Sequence, residues 1–390
     1  MRILYAALDQ RVPGTTGGSV HVTSVAEGLA ALGHEVDVLT TPGDGPFPGG
    51  AVRWHAMAPP LGLRHLRFLR AAAVRAFAAA ARAEVVIERY YNFGGEGIEA
   101  ANATGALGVL EVNAPIIDYP GSSKRTLDRA LLVQPLRRWR EWQCRHADLI
   151  VTPLAGILPA DVPASRILQI EWGADTERFR PGATGPLPFT RQPGQLVLVF
   201  AGAFRPWHGA VHLVRAMRLL RHRGRTDVVA VLIGAGPELD RVRAEAAGLD
   251  AVVLTGAVAH DRMPACLAAA DIGVAPFDVA AHKQLQLGFY WSPLKVFEYM
   301  AAGLPVVAPD IDRLRHIVRH EREGLLYDSS NPDGLADAIE SLLDPVRRAA
   351  LGQAARTRVE TEFSWAAHCH RLEGAMAGVV NGRRRTPCAS

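Results

Sequence analysis

Short apolar runs alternate with stretches of helical period along most of the chain. The first half reads ILYAAL, a helix from about Val20 to Leu32, EVDVLT, a long helix, EVVIE, a further helix, VLEV and DLIV. The alternation restarts at LVLVFA and continues through VVAVLI, VVLT and DIGV to a short buried strand from Leu304 to Val307. Runs of this length separated by helices are the mark of βαβ units and of parallel sheets covered on both faces. Ligands of such sheets bind beyond the carboxyl ends of the strands. Between the halves, GATGPLPFTRQPGQ has no period and is rich in Gly and Pro, so 181–195 is expected to be a linker. The expected domains are 1–180 and 196–362, with a terminal helix over 363–380 and a frayed tail over 381–390.

A length of 390 residues and a hydrophobic content of 49% suffice for packed cores in two or more domains. There is no uncharged apolar run of spanning length and no signal-peptide pattern, so a cytoplasmic protein is expected. Cys144, Cys266, Cys369 and Cys388 form no CxxC pair, which favours reduced thiols over disulfides or zinc. A net charge of +4 suits anionic ligands but is too small to argue nucleic acid, and no nucleic-acid signature accompanies it.

The stretch richest in chemistry is GFYWSPLKVFEYMAAGLPVVAPD, Gly288 to Asp310. Ser292 stands where an N-cap belongs, Pro293 suits the first helical position, and Gly303 follows the last apolar turn as a stop. A helix start collects unpaired N–H groups and the positive dipole end, which seats phosphate. Glu298, about one and a half turns further in, is in reach of a sugar hydroxyl on a phosphate-anchored ligand. In the first half, Gly17 and Gly18 precede a helix start in DQRVPGTTGGSVHV and let backbone approach a ligand, although Gly-rich turns of this kind are common. GAGP at Gly234 to Pro237 lacks the third glycine of GxGxxG and does not support NAD. DID at Asp310 to Asp312 has the spacing of a metal-binding pair but is read as turn chemistry, with no metal expected.

SPLKVFEYMAAGLPVVA, Ser292 to Ala308, resembles the donor-site segment of retaining glycosyltransferases of the GT-B fold, in particular the large GT4 family. Gly17-Gly18 followed by a helix and LAALGHEV resembles the opening of such chains, and ILQIEWGADTERFRP resembles the exit from their first domain. The resemblance implies an α/β protein with two Rossmann-like, doubly wound parallel-sheet domains facing a central cleft. The N-terminal domain would bind the acceptor, the C-terminal domain the nucleotide-sugar donor, and the terminal helix would return to the first domain. It implies a metal-independent transferase without a cofactor, taking a UDP, GDP or similar nucleoside-diphosphate sugar as co-substrate.

Carried onto this chain, Glu298 holds the ribose, and the backbone at Pro293, Leu294 and Lys295 holds the diphosphate with help from Gly18. Gly256 and Val258 lie where relatives clamp the base. The arginine and lysine that usually grip the diphosphate fall on Ala203 and His208 within GAFRPWHG. Arg205, and His208 when protonated, are the candidate substitutes, and with Glu298 they form the expected catalytic group. A second family glutamate falls on Tyr290, so Tyr290, Trp291 and Ser292 are candidates for the donor sugar. His21, Glu88 and Asn113 are candidates for the acceptor, a small molecule, lipid or glycan. His21 is equally a first-turn residue facing solvent, and Asn113 equally a turn former.

From Leu63 to Ala83, Arg64, Arg67, Arg75 and Arg82 fall on one helix face and Leu66, Leu69, Ala73, Phe77 and Ala80 on the other. A solvated basic face is favoured over weak peripheral membrane contact. The alternatives to a transferase are a sugar-nucleotide epimerase of the same fold and a non-catalytic sugar-nucleotide-binding subunit.

Overall fold

The computed structural model describes residues 1–63, 66, 68–92, 94–119, 122–130, 135–282, 285, 287–311 and 313–385. Arg64, Arg67, Asp312 and Cys388 lie outside them. The chain divides into two compact units. One comprises Met1–Trp172, Tyr290–Ser292 and the segment from Trp365 on, the other Gly173–Phe289 and Pro293–Ser364.

The first unit contains β1 (Arg2–Val12), α1 (Gly17–Ala31), β2 (Glu35–Pro42), β3 (Arg53–Ala56), α2 (Phe68–Ala80), β4 (Val85–Arg89), α3 (Glu96–Thr104), β5 (Leu107–Glu111), α4 (Ser123–Ala130), α5 (Pro135–His146), β6 (Leu149–Thr152) and β7 (Ile167–Gln169). Its sheet has the order β3-β2-β1-β4-β5-β6-β7, all pairs parallel. The order turns round between β1 and β4, so the loops that follow these two strands splay to opposite sides and leave a crevice at the strand ends.

The second unit contains β8 (Leu196–Ala201), α6 (Ala210–His222), β9 (Val228–Ile233), α7 (Leu239–Glu245), β10 (Val252–Gly256), α8 (Met263–Ala268), β11 (Ile272–Val274), α9 (Leu294–Ala301), β12 (Val306–Pro309), α10 (Leu314–Ile317), β13 (Gly324–Tyr327), α11 (Gly334–Glu340) and α12 (Pro345–Glu362). Its parallel sheet has the order β10-β9-β8-β11-β12-β13, with the switch between β8 and β11. LVLVFA and VVAVLI are buried at every position because helices cover both faces, which is why they read as continuous apolar runs. The helix α6 presents Leu213, Val214, Met217 and Leu220 to this core at the spacing of one helical stripe.

Several boundaries differ from those expected. The units divide after Trp172 rather than near 180. The last helix, α13 (Trp365–Arg385), belongs to the first unit, packs on α1 with Cys369 against Gly28, and extends through 381–385 where a frayed tail was expected. The helix α1 starts at Gly17, not Val20, because Thr16 caps it by accepting from the Ser19 amide at 3.3 Å. In α2 the inward stripe is Arg70, Val74 and Ala78, whereas Leu69 and Ala73 are exposed. Arg70 pairs with the Glu96 carboxylate at 2.9 Å, while Val74 and Ala78 join the apolar core, so one face of the helix is fixed by both an ion pair and hydrophobic burial.

Cys144, Cys266 and Cys369 are buried free thiols. No helix among the described residues is long and apolar enough to cross a membrane. Asp310 is paired with Arg315 at 2.5 Å, and among the described residues no cluster of His, Cys, Asp and Glu could hold a metal.

Candidate active site

In the second unit, three segments meet at the switch point: the loop Gly202–Gly209 after β8, the turn at Pro276–Phe277 after β11, and the start of α9. Glycines let them approach. A Cβ on Gly209 would lie 1.7 Å from the Pro276 carbonyl oxygen, and one on Gly234 would lie 1.9 Å from that of Gly202. The GAGP turn therefore props the loop after β8. Phe204 N–H donates to the Ala235 carbonyl at 2.9 Å, and Glu238 N–H donates to that of Phe204 at 2.9 Å.

The helix α9 is anchored by Tyr299. Its hydroxyl accepts from the Ala201 amide at 2.7 Å, and its ring lies so close to Gly273 that a Cβ there would come within 2.5 Å. Gly303, at φ +75°, ends the helix, and Leu304 N–H returns to the Tyr299 carbonyl at 3.0 Å. At the other end the amides of Leu294 and Lys295 lie in the first turn, where no carbonyl of the helix can accept from them. Glu298, further along, is half-buried with its carboxylate 3.6 Å from His260 Nε2.

The charges here are unequal. Arg205 is exposed, with its guanidinium 5.7 Å from the Trp207 ring centroid. His208 Nδ1 faces the Ala203 carbonyl at 2.5 Å; since a carbonyl only accepts, Nδ1 carries the proton. Burial, then the Lys295 ammonium, push the His208 pKa down to about 3, so the ring is neutral at physiological pH. Burial also pushes Lys295 down to about 7, against the pull of Glu298.

The first unit gathers a second polar cluster at its own switch point. Glu111, at the end of β5, takes hydrogen bonds from Tyr5, Asn113 and Arg89, the last at 3.3 Å, and lies 3.0 Å from His21 Nε2. His21 is 1% exposed and lies against the Trp172 ring, tilted by 39° with centroids 4.4 Å apart. Burial, then Arg89 and His368, lower its pKa, so Nε2–H donates to Glu111 and Nδ1 is left facing Arg89 at 3.3 Å. Burial raises the Glu111 carboxyl, with Arg89, Tyr5 and Asn113 opposing. Asn113 also accepts from Trp172 Nε1 at 2.8 Å.

Two family models divide the chain between them. Glycosyl transferase 4-like domain matches residues 16–158, and Glycosyl transferases group 1 matches 195–345. The D-inositol 3-phosphate glycosyltransferase of Acidothermus cellulolyticus is 31% identical over 90% of this chain and 83% of its own length. The chain belongs to the GT4 family of glycosyltransferases. A GDP-mannose-dependent alpha-(1-6)-phosphatidylinositol monomannoside mannosyltransferase of Mycobacterium tuberculosis is 34% identical over 52% of the chain, and the match spans about half, 54%, of that relative. Among solved structures, a sucrose-phosphate synthase of Thermosynechococcus elongatus has a TM-score of 0.74 and 19% identity, covering 98% of this chain and 99% of that one.

As a GT4 chain it keeps some of the expected site residues together and reassigns others. Arg205, His208, Leu294 and Lys295 lie on two of the three segments that meet at the switch point, and Glu298 follows on α9. Gly256 ends β10 at φ +76° with its carbonyl accepting from Gly234 N–H at 2.8 Å, and half-buried Val258 follows in the loop. Gly18 lies in the first turn of α1, packed so tightly on Gln10 that a Cβ would clash.

Four expectations are corrected. Pro293, not Ser292, is the N-cap of α9; Ser292 instead donates to the Glu171 carboxylate at 2.5 Å and accepts from Trp172 N–H at 3.0 Å. His208 is neutral at physiological pH in this structure, so it is not a standing charge. His21 does not face solvent. Glu88 is not offered to an acceptor: it is 1% exposed and accepts from the amides of Gly95 and of Ile98, at 2.8 Å, where α3 begins. Tyr290 is buried, which raises its phenol pKa, and meets half-buried Trp291 edge-on at 5.2 Å.

Sequence reasoning missed the Lys295 side chain, having used only its amide, and missed His260. The lysine carried a signal, a charge in an otherwise apolar helix start. His260 carried none, since its neighbour Glu298 is far along the chain.

Proposed function

We propose that this protein transfers a sugar from a nucleoside-diphosphate sugar to an acceptor nucleophile, with retention of anomeric configuration. The observation that carries this is the convergence, within the second unit, of the α9 start and Arg205 with Glu298 further along the same helix. Anion donors at one end of a helix and a carboxylate a few residues on suit a nucleoside diphosphate, with phosphate at the amides and ribose hydroxyls at Glu298. Breaking the glycosidic bond leaves charge on the diphosphate, and dipoles already aimed at it lower the barrier without reorganisation. The Leu294 and Lys295 amides and the Arg205 guanidinium provide such donors.

Among the described residues no side chain of the site is an evident general base. That agrees with same-face attack in which the departing phosphate takes the acceptor's proton. Retention rests on the GT4 resemblance alone. The matched mycobacterial protein is named for GDP-mannose and for a phosphatidylinositol mannoside, and the Acidothermus protein for D-inositol 3-phosphate. A GDP-hexose donor and an inositol-phosphate acceptor are therefore the first pair to assay.

The test is a thermal-shift panel of UDP, GDP, TDP and ADP sugars on the wild type and Glu298→Ala, followed by turnover with the stabilising donor. One donor should raise the wild-type melting temperature and shift the variant little. Equal shifts in both would remove Glu298 from the ribose, and stabilisation without any sugar transfer would favour a non-catalytic binding subunit. Anomeric NMR of the product decides between retention and inversion.

A further inference from the structure

Lys295 sits in the first turn of α9, and its Nζ is sealed from solvent with no hydrogen-bond partner among the described residues. The ring centroids of Phe200 and Phe277 lie 4.2 and 5.4 Å away. A Cβ on Gly202 would come within 3.0 Å of Nζ and 3.9 Å of His208 Nδ1, so ammonium and imidazole share the space beneath the loop after β8. Burying an ammonium without an acceptor is costly. A methionine of similar length would fill the same space against two phenylalanine rings without that cost, so packing does not explain the charge.

The location does. The loop and helix start that enclose Nζ also bear Arg205 and the amides of Leu294 and Lys295. The family's usual loop cations fall on Ala203 and on His208, which burial keeps neutral.

We propose that the Lys295 ammonium, reaching in from α9, is the second cation of the diphosphate seat and replaces the loop lysine that this chain lacks. This rests on the nucleotide-sugar reading above and adds a residue to it. The titratable groups coupled to Nζ are Glu298 on its own helix and His208 from the loop after β8. Of these only Glu298 carries negative charge, and Lys295 is nevertheless held down to about 7. Above that pH the amine is largely neutral until an anion restores its proton, so diphosphate binding is coupled to proton uptake.

The experiment is isothermal titration calorimetry of the full chain at pH 8 in buffers of different ionisation enthalpy. The probes are GDP, UDP, guanosine, uridine and inorganic pyrophosphate, on the wild type, Lys295→Met and Lys295→Arg. The wild type should take up close to one proton per diphosphate or pyrophosphate bound, about what a neutral amine gains on pairing with an anion. Lys295→Met should lose the uptake and bind both anions at least tenfold more weakly, with nucleoside binding unchanged. Lys295→Arg should bind without uptake, since guanidinium stays charged, and it serves the comparison if the methionine variant does not fold.

Diphosphate binding without uptake, or with the same uptake in the variants, overturns the role of Lys295 and leaves the nucleotide-sugar reading standing. Pyrophosphate binding with Lys295-dependent uptake, but no nucleoside-diphosphate binding, overturns the nucleotide-sugar reading and keeps Lys295. Binding of neither anion overturns both.

Discussion

Gly202 and Lys295 are fitted to one another: the glycine stands at φ +140°, and a methyl group on it would come 3.0 Å from the lysine Nζ. Gly202→Ala therefore meets two obstacles, a backbone region that side chains avoid and a buried ammonium. The expected cost is about 1–3 kcal/mol of folding free energy from the backbone alone, together with weaker pyrophosphate binding from displacement of Nζ. Urea unfolding and pyrophosphate titration measure the two effects. An alanine variant as stable as the wild type, with unchanged binding, would show that this space is not tight.

Arg205 is exposed on the loop after β8, beside the proposed diphosphate seat. Removing one charge-assisted bond to phosphate is worth roughly 1.5–3 kcal/mol, or about 10- to 100-fold in affinity. Arg205→Ala should weaken nucleoside diphosphate by that factor while leaving the parent nucleoside almost untouched. Equal losses for both ligands would place Arg205 outside the phosphate contact.

Glu111 in the first unit balances the buried Arg89, and both are almost wholly out of solvent. Glu111→Ala leaves that guanidinium, among the described residues, with only Asp9, 4.0 Å from its Nε, for an acidic partner. The expected loss is about 3–5 kcal/mol, typical of breaking a buried pair from one side. Glu111→Gln keeps the shape and an acceptor and should lose less. Chemical denaturation of the two variants checks the order; a loss below about 1 kcal/mol for alanine contradicts a structural role for the pair.

His368 is buried with Nδ1 donating to the Glu171 carbonyl at 2.7 Å, and burial holds its pKa down to about 4. Between about pH 4 and the ordinary histidine value the unfolded chain binds a proton there that the folded chain does not. This residue's contribution to stability thus falls as pH falls, by about 1.4 kcal/mol per unit. Burial of Glu88, held up to about 8, and of Glu111 acts in the opposite sense, so the observable is a difference. His368→Asn should have a shallower rise of unfolding free energy from pH 4.5 to 6.5 than the wild type. Identical slopes in urea unfolding series would mean that His368 is protonated when folded.

The alternation of apolar runs with helical stretches was enough to foresee two parallel sheets, because strands buried on both faces must be apolar throughout and cannot be mistaken for half-exposed ones. The segment from Ser292 to Ala308 was likewise legible as a helix entered at a proline and left at a glycine, since both ends are set by local backbone preferences. Helix starts were less so. Thr16 took the cap of α1 from further upstream, and Ser292 gave its hydroxyl to Glu171, a partner remote in sequence.

What the sequence alone determined is the architecture and the ends of α9, for these follow from local periodicity, turn residues and chain order. Protonation states and side-chain directions came only from the tertiary structure: a neutral His208, a Glu88 spent on amides, a His21 enclosed by rings, and a Lys295 turned inward beneath Gly202. The physical reason is that desolvation and charge pairing depend on which distant residues surround a group once the chain has packed, and no local pattern carries that information.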